Sequence, residues 1–152
     1  MTNKEKALEM FGGGYNCSQS VFAAVVPDNL LDKKVKISLA AGFGAGIGRN
    51  AETCGAVSGA IMALGAVLIE KEFASDSALK ADGIMLADKF VKKFRAEKST
   101  IICRELLGYD LSKPEEDEIL KNNGSYRVKC ADFVGLAVEI AEVIIKEYKE
   151  KL

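Results

Sequence analysis

Apolar side chains recur every three or four positions along almost the whole chain, the period of helices that turn one face to a core. The last segment shows it most clearly. Val134, Val138, Ala141, Ile145 and Tyr148 form one stripe, and Lys129, Asp132, Glu139, Glu142, Lys146 and Lys149 fall mainly off it. This predicts a helix from about Ser125 to Glu150. Leu79, Leu86, Phe90 and Phe94 form a second stripe, with Asp82, Lys89, Lys92 and Arg95 elsewhere on the wheel, which predicts a helix from about Asp76 to Lys98. Shorter helices are predicted at Lys4–Phe11, Asn16–Val26, Val35–Ala41 and Thr100–Leu107. The stretch SKPEEDEILKNNG reads as a surface helix, with Pro114 in its first turn and Gly124 past its end. No run alternates as a strand.

Thr53 to Ile69 carries no charge and is apolar around nearly its whole circumference. It is too short and glycine-rich for a membrane span, which wants roughly 20 apolar residues. It reads instead as a buried central helix, about 53–70, ringed by amphipathic ones. Gly55, Gly59, Ala63 and Ala66 repeat at near-helical spacing and would let another backbone come close. The expected architecture is all-α: one domain over 1–152, a bundle of about six to eight helices around that central segment.

Composition narrows the function. The 152 residues are 49% hydrophobic with a net charge of −1, which suits one folded domain and leaves no basic footprint for nucleic acid. There is no histidine. That excludes Cys-His zinc sites, His-ligated haem and His-assisted nucleophiles within this chain. The start, MTNKEKALEM, lacks the apolar core of a secretory signal, so a cytoplasmic protein is expected. In that reducing compartment the four cysteines are buried hydrophobes, metal ligands or redox groups rather than permanent disulfides.

Gly42, Gly44, Gly46 and Gly48 alternate just before the central helix. A dinucleotide fingerprint would need a glycine where Arg49 stands, and a phosphate loop would need a G-K-[ST] ending that is missing. Two readings stay open. The loop is a tight connection between packed helices, or it wraps a small charged group with exposed N–H groups. In the second, Gly44, Gly46, Gly48 and Gly55 are candidate cofactor-binding positions, and Arg49 and Glu52 flank the approach to Cys54.

Cys17, Cys54, Cys103 and Cys130 each fall near the amino end of a predicted helix, behind caps at Asn16, Thr53 and Ser99–Thr100 and after Ser125. The positive end of a helix favours thiolate, which is both nucleophile and metal ligand. Four sulfurs meeting in space could hold an iron–sulfur cluster or another thiophilic metal, or cycle between dithiol and disulfide. No C-x-x-C pair exists, so spacing does not decide, and four buried packing cysteines remain the plain alternative.

These residues resemble a known family, the redox-active family labelled C_GCAxxG_C_C after its cysteines and central motif. The likeness is carried by Cys17 in GGGYNCSQSV, Cys54 in ETCGAVSGAIMALG, Cys103 in STIICRELLGYDLS, the late Cys130 and the AAGFGAGIGR block. It runs from about Gly12 to Ile144. One departure is local: the label reads Gly-Cys-Ala where this chain reads Cys54-Gly55-Ala56. The resemblance implies a small helical protein with a cysteine-based redox role, similar to accessory proteins of oxidoreductases or transport systems. It carries over Cys17, Cys54, Cys103 and Cys130, with Gly55 and Gly59 as motif glycines.

Three functions are therefore expected in order. First is an electron-transfer or accessory redox protein whose four cysteines ligate an iron–sulfur cluster, with an oxidoreductase or transport system as redox partner. Second is a thiol–disulfide protein in which Cys54 attacks and Cys17 resolves. Third is a non-enzymatic binding or assembly module with structural cysteines. Neither nucleic acid nor membrane is an expected partner, and a homodimer is left open.

Overall fold

The computed structural model describes every residue from Met1 to Leu152. It is all-α, with no strand and a single isolated antiparallel bridge between Thr53 and Ile102. Nine helical segments follow in order: α1 (Asn3–Gly12), α2 (Cys17–Val25), α3 (Lys33–Ala40), α4 (Gly44–Ile47), α5 (Gly55–Val67), α6 (Asp76–Lys98), α7 (Cys103–Leu107), α8 (Pro114–Asn122) and α9 (Ser125–Glu150). The two long amphipathic helices begin and end where their stripes predict. No helix is long and apolar enough to cross a membrane.

The central helix is α5, packed against α2, α6 and α9. Leu86, Phe90 and Phe94 turn α6 onto it and are buried, whereas Leu79, placed on the same stripe by its spacing, is exposed on the first turn of that helix. The α2–α5 contact is the most extensive in the bundle, and glycine lets the two backbones approach. A Cβ at Gly59 would lie 2.6 Å from the Ser18 carbonyl oxygen, and one at Gly55 would lie 3.1 Å from the Phe43 carbonyl oxygen. A Cβ at Gly65, on the exposed side of α5, would meet nothing within 4 Å. The same substitution should therefore have opposite signs within one helix. Gly59→Ala gains helix propensity of about 1 kcal/mol but forces two backbones apart, with a net loss of about 2 kcal/mol. Gly65→Ala keeps the gain of up to about 1 kcal/mol. Urea unfolding midpoints of the two variants check the contrast.

Helix α3 starts two residues before its expected Val35, at Lys33, because Asp32 caps it; the starts of α5 and α7 come later than expected, and the bridge is the cause. Extended backbone at Thr53 and Ile102 delays α5 to Gly55 and α7 to Cys103, so Cys54 itself occupies the cap position expected of Thr53. Residues 100–102, expected to be helical, are used in reaching the bridge. At the other end, Leu68–Glu70 tightens into a 3-10 turn.

A buried lysine closes the end of α2. Lys36 is fully buried, and its Nζ donates to the Ala23 carbonyl at 3.1 Å, the Val26 carbonyl at 2.5 Å and the Asp28 carboxylate at 2.7 Å. Carbonyls in the last turn of a helix lack intrahelical donors. The ammonium supplies them and fixes α3 beside α2, which leaves the amino end of α2 to define the site.

Candidate functional site: a cavity ringed by four thiols

All four cysteines line one cavity of about 210 Å³. Each arrives by a different local device. Cys17 is the first residue of α2, behind an Asn16 capping box: the Asn16 side chain accepts from Gln19 N–H at 2.9 Å, and Gln19 accepts back from Asn16 N–H at 3.0 Å. Asn16 Nδ2 also donates to the Ala41 carbonyl at 3.0 Å, tying this helix start to the glycine-rich segment. Cys54 and Cys103 are set by the bridge. Cys54 N–H donates to the Ile101 carbonyl at 2.8 Å, and Cys103 N–H donates to the Glu52 carbonyl at 2.6 Å. Cys130 lies in the second turn of α9. Phe11, Leu107, Leu111, Tyr126 and Phe133 complete largely apolar walls.

The glycine-rich segment forms one wall by an unusual route. Ala45, Gly46, Ile47, Gly48 and Arg49 all have φ between +55° and +69°, so α4 and the residues after it form a left-handed turn. Left-handed helical backbone costs roughly 1–2 kcal/mol per non-glycine residue. Three residues here carry that cost: Ala45, Ile47 and Arg49. The turn is held by its own closing bonds, Gly48 N–H to the Gly42 carbonyl at 2.9 Å and Glu52 N–H to the Gly46 carbonyl at 2.9 Å. Of the four glycines expected at a cofactor, Gly46 and Gly55 reach the cavity wall. Gly44 does not, since the space where its Cβ would stand is filled by the Asn16 side chain. Gly48 lies outside the wall, with its N–H already engaged.

The charged residues at the approach are each paired. Arg49 pairs with Asp117 at 3.2 Å, and Glu52 pairs with Arg104 at 3.3 Å, so Arg49 and Glu52 flank the site without pairing to each other. Asp117 also accepts from the Tyr126 hydroxyl and pairs with Lys121 at 3.2 Å. Those contacts, led by the Tyr126 hydrogen bond, hold the Asp117 carboxyl below the usual carboxylate range. Burial pushes the Tyr126 phenol up, and the neighbouring carboxylate adds to it.

Burial, more than helix ends, sets the protonation of the cysteines. Cys54 is 5% exposed, and burial pushes its thiol up to about 11, although the Ala56 and Val57 N–H groups at the start of α5 work the other way. Burial pushes Cys103 up to about 12, with Cys54 and Cys130 adding to the shift. The expectation that helix dipoles would make these sulfurs thiolates is corrected: desolvation outweighs the dipole at both. Cys17 and Cys130 behave as a pair. Both line the cavity, Cys17 from α2 and Cys130 from α9. The Cys17 S–H toward Cys130 favours the Cys130 thiolate, with Lys129 assisting, and the same contact, with burial, holds the Cys17 proton on.

The four cysteines share one cavity. Nowhere in the chain do three or more His, Cys, Asp or Glu side chains gather as ligands for one metal ion. Four thiols are nevertheless the donor set that iron–sulfur clusters use. A cluster of several atoms needs its ligands spread around a volume, and the cavity provides one with mostly apolar walls.

Several wall residues were not singled out from the sequence. Tyr126 and Phe133 stand four residues before and three after Cys130, and Leu107 stands four after Cys103, spacings that share a helix face. That signal was present in the sequence. Phe11 had none, because it comes from α1 through tertiary packing alone, and neither did Asp117 of α8, which stands behind the wall and holds Arg49 and Tyr126.

A family model described as "Putative redox-active protein (C_GCAxxG_C_C)" matches residues 15–144. The match takes in all four cysteines and most of the chain, and the protein belongs to this family. Searches of curated proteins and of solved structures returned no match.

Proposed function

We propose, with membership of that redox-active family as the premise, that Cys17, Cys54, Cys103 and Cys130 hold an iron–sulfur cluster in their shared cavity and that the protein serves electron transfer or an accessory redox role. The observation that carries this reading is the convergence of four thiols from four separate elements on one cavity of about 210 Å³. Packing cysteines have no reason to share a single space. When bound, the cluster supplies one-electron chemistry. The chain's own contribution is to present four sulfurs, exclude water with Phe11, Leu107, Leu111 and Phe133, and set the surrounding charge through the Arg49–Asp117 pair. Such burial and nearby dipoles tune cluster potentials.

The donor chemistry fits a cationic occupant for a further reason. The side-chain cations near the sulfurs are few, and Arg49, which lines the cavity, and Arg104 are already engaged with Asp117 and Glu52. Ionising all the thiols together therefore calls for positive charge in the cavity itself, which a metal cluster brings. The reading of Cys54 as attacking nucleophile is weakened by the same burial, which keeps its thiol protonated to about pH 11.

The test is anaerobic purification from iron-replete cells, followed by an absorption spectrum and iron and sulfide analysis. The expected result is a coloured protein with iron and acid-labile sulfide in comparable amounts. Colourless, iron-free protein that also resists reconstitution overturns the proposal.

A further inference from the structure

The net charge of the chain is −1, yet residues 33–51 hold four cations, Lys33, Lys34, Lys36 and Arg49, and no carboxylate. Lys36 is engaged inside the fold with Asp28, and Arg49 pairs with Asp117. Lys33 and Lys34 are exposed and lie outside every ion pair of the chain. The only partner of Lys33 is the Tyr15 ring, 5.4 Å below its ammonium. The acids that border the segment are occupied: the Asp32 carboxylate accepts from Val35 N–H at 2.9 Å, and Glu52 pairs with Arg104. The outer side of the same segment is apolar. Val35, Leu39, Phe43 and Ile47, each four residues from the next, are all exposed, Leu39 by 57%. Val35 and Leu39 share a face of α3. Residues 41–43 continue α3 as a 3-10 turn, and the bond from Gly48 N–H to the Gly42 carbonyl brings the chain after Ile47 back beside it. Two of the four stand against the cavity of the thiols. Gly46 lines that cavity while the next residue, Ile47, is exposed, and the Phe43 carbonyl abuts Gly55, another wall residue. The wall is one turn thick here.

We infer that Val35, Leu39, Phe43 and Ile47, with Lys33 and Lys34 beside them, form the docking surface for an acidic electron-carrier protein. The inference rests on the reading of the four thiols as one redox site, and it adds the kind of partner that approaches that site. Charge selects an acidic partner. Two unpaired cations in a stretch without carboxylates steer an acidic surface toward them, and the apolar stripe holds it once it has arrived. Extent selects a transient partner. A stable complex uses roughly 20–30 residues a side, whereas redox encounters sit at the small end of the scale. Four apolar residues and two lysines suit the small end. A second copy of the chain would bring the same uncompensated lysines to the contact. An anionic membrane selects clusters of about 4–8 basic residues, more than this face offers. Position selects an electron carrier. A partner seated here comes within one turn of the cavity without entering it, and its apolar contact excludes water from the space between.

The experiment titrates the full chain, isotopically labelled, reduced and metal-free, with three purified carriers: an acidic flavodoxin, an acidic ferredoxin and, as the control of opposite charge, the basic cytochrome c. At low ionic strength the two acidic carriers should shift amide resonances within residues 33–50, and cytochrome c should not. High salt should weaken the binding. The variant K33E/K34E should weaken it by about tenfold or more. Leu39→Ser and Phe43→Ser should each weaken it severalfold, with helical content by circular dichroism unchanged. Ile84→Ser, at an exposed position of α6, should bind as the wild type does. No shift with either acidic carrier, shifts centred elsewhere, equal shifts with cytochrome c, or undiminished binding by K33E/K34E overturns the inference. So does a dimer in sedimentation that Leu39→Ser abolishes, which would seat a second copy on this face. Binding to phosphatidylserine vesicles with neither acidic carrier bound overturns it too. The two readings fail separately. Carriers that dock here on a protein unable to take up iron and sulfide leave this surface standing and overturn the cluster proposed above. A protein that loads its cluster and binds neither acidic carrier does the reverse.

Discussion

Gly46→Val is expected to be among the most destabilising single changes in the chain, costing about 5 kcal/mol by the combined effects of left-handed strain and overpacking. Two independent causes act at this position. The backbone at Gly46 has φ of +69° and ψ of +48°, a conformation that a β-branched residue adopts only under strain. In addition, a Cβ there would lie 2.6 Å from Ala51 Cα and 2.6 Å from Glu52 N. Both atoms are backbone, so no side chain can rotate away. The segment they belong to is the one that reaches Cys54, and Glu52 N–H is the donor that closes the turn onto the Gly46 carbonyl. A loss of this size is comparable with the whole stability of many small domains, about 5–15 kcal/mol. The measurement is urea unfolding of the metal-free protein, or its soluble yield if it does not accumulate.

Position 45 should respond in the opposite sense. Ala45 has φ of +55° and ψ of +40° with an L side chain already in place. Ala45→Gly relieves left-handed strain of roughly 1–2 kcal/mol and gives back about 0.5–1 kcal/mol through a more flexible unfolded chain. The net change is a gain of up to about 1 kcal/mol or none at all. Adjacent positions in the same turn thus separate a glycine that is required from an alanine that is tolerated at a cost. If Gly46→Val unfolds at the wild-type midpoint, the left-handed turn does not have the role assigned to it.

What the sequence made legible follows from the same physics. Helices α6 and α9 could be placed to the residue because each is long, amphipathic and bounded by its own signals: Ser75 caps α6, and Gly124 turns into α9. The buried central helix was legible because Thr53–Ile69 lacks any charge. The left-handed turn was not. Alternating glycines announce that unusual backbone is permitted, but Ala45, Ile47 and Arg49 carry no local preference for it. Hydrogen bonds that close the turn onto Gly42, Ala45 and Gly46, and the Arg49–Asp117 pair, hold them there. The starts of α5 and α7 shifted for a similar reason, since a bridge between residues 49 positions apart leaves no mark on either segment. The convergence of the cysteines was legible only as a bet on helix ends. Sequence position could not reveal that burial would dominate their chemistry, because desolvation depends on the neighbours that the fold supplies.

That desolvation leads to the second large effect: the metal-free protein should lose stability steeply above about pH 9. Cys54 is held up to about 11 and Cys103 to about 12, chiefly by burial, from an ordinary value of 9.0. The folded state therefore binds these protons more tightly than the unfolded chain. The stability this confers is intact below the unfolded value and drains away as pH rises through the window from 9 to 12. At about 1.4 kcal/mol per pH unit, the loss approaches about 3 kcal/mol for Cys54 and about 4 kcal/mol for Cys103. Losses on that scale can consume much of a small domain's stability. Urea midpoints taken from neutral pH upward should fall across this window, and C54A/C103A should remove the Cys54 and Cys103 share of the slope, leaving that of Cys17, whatever its effect at neutral pH. Lysines and tyrosines also titrate there, so the difference between the two slopes is the measured quantity. Thiols ionised on a metal have no proton left to lose, so if the proposed cluster is bound, the loaded protein should show no cysteine step. Equal slopes in the wild-type chain and the double variant would show that these buried thiols do not set its alkaline limit.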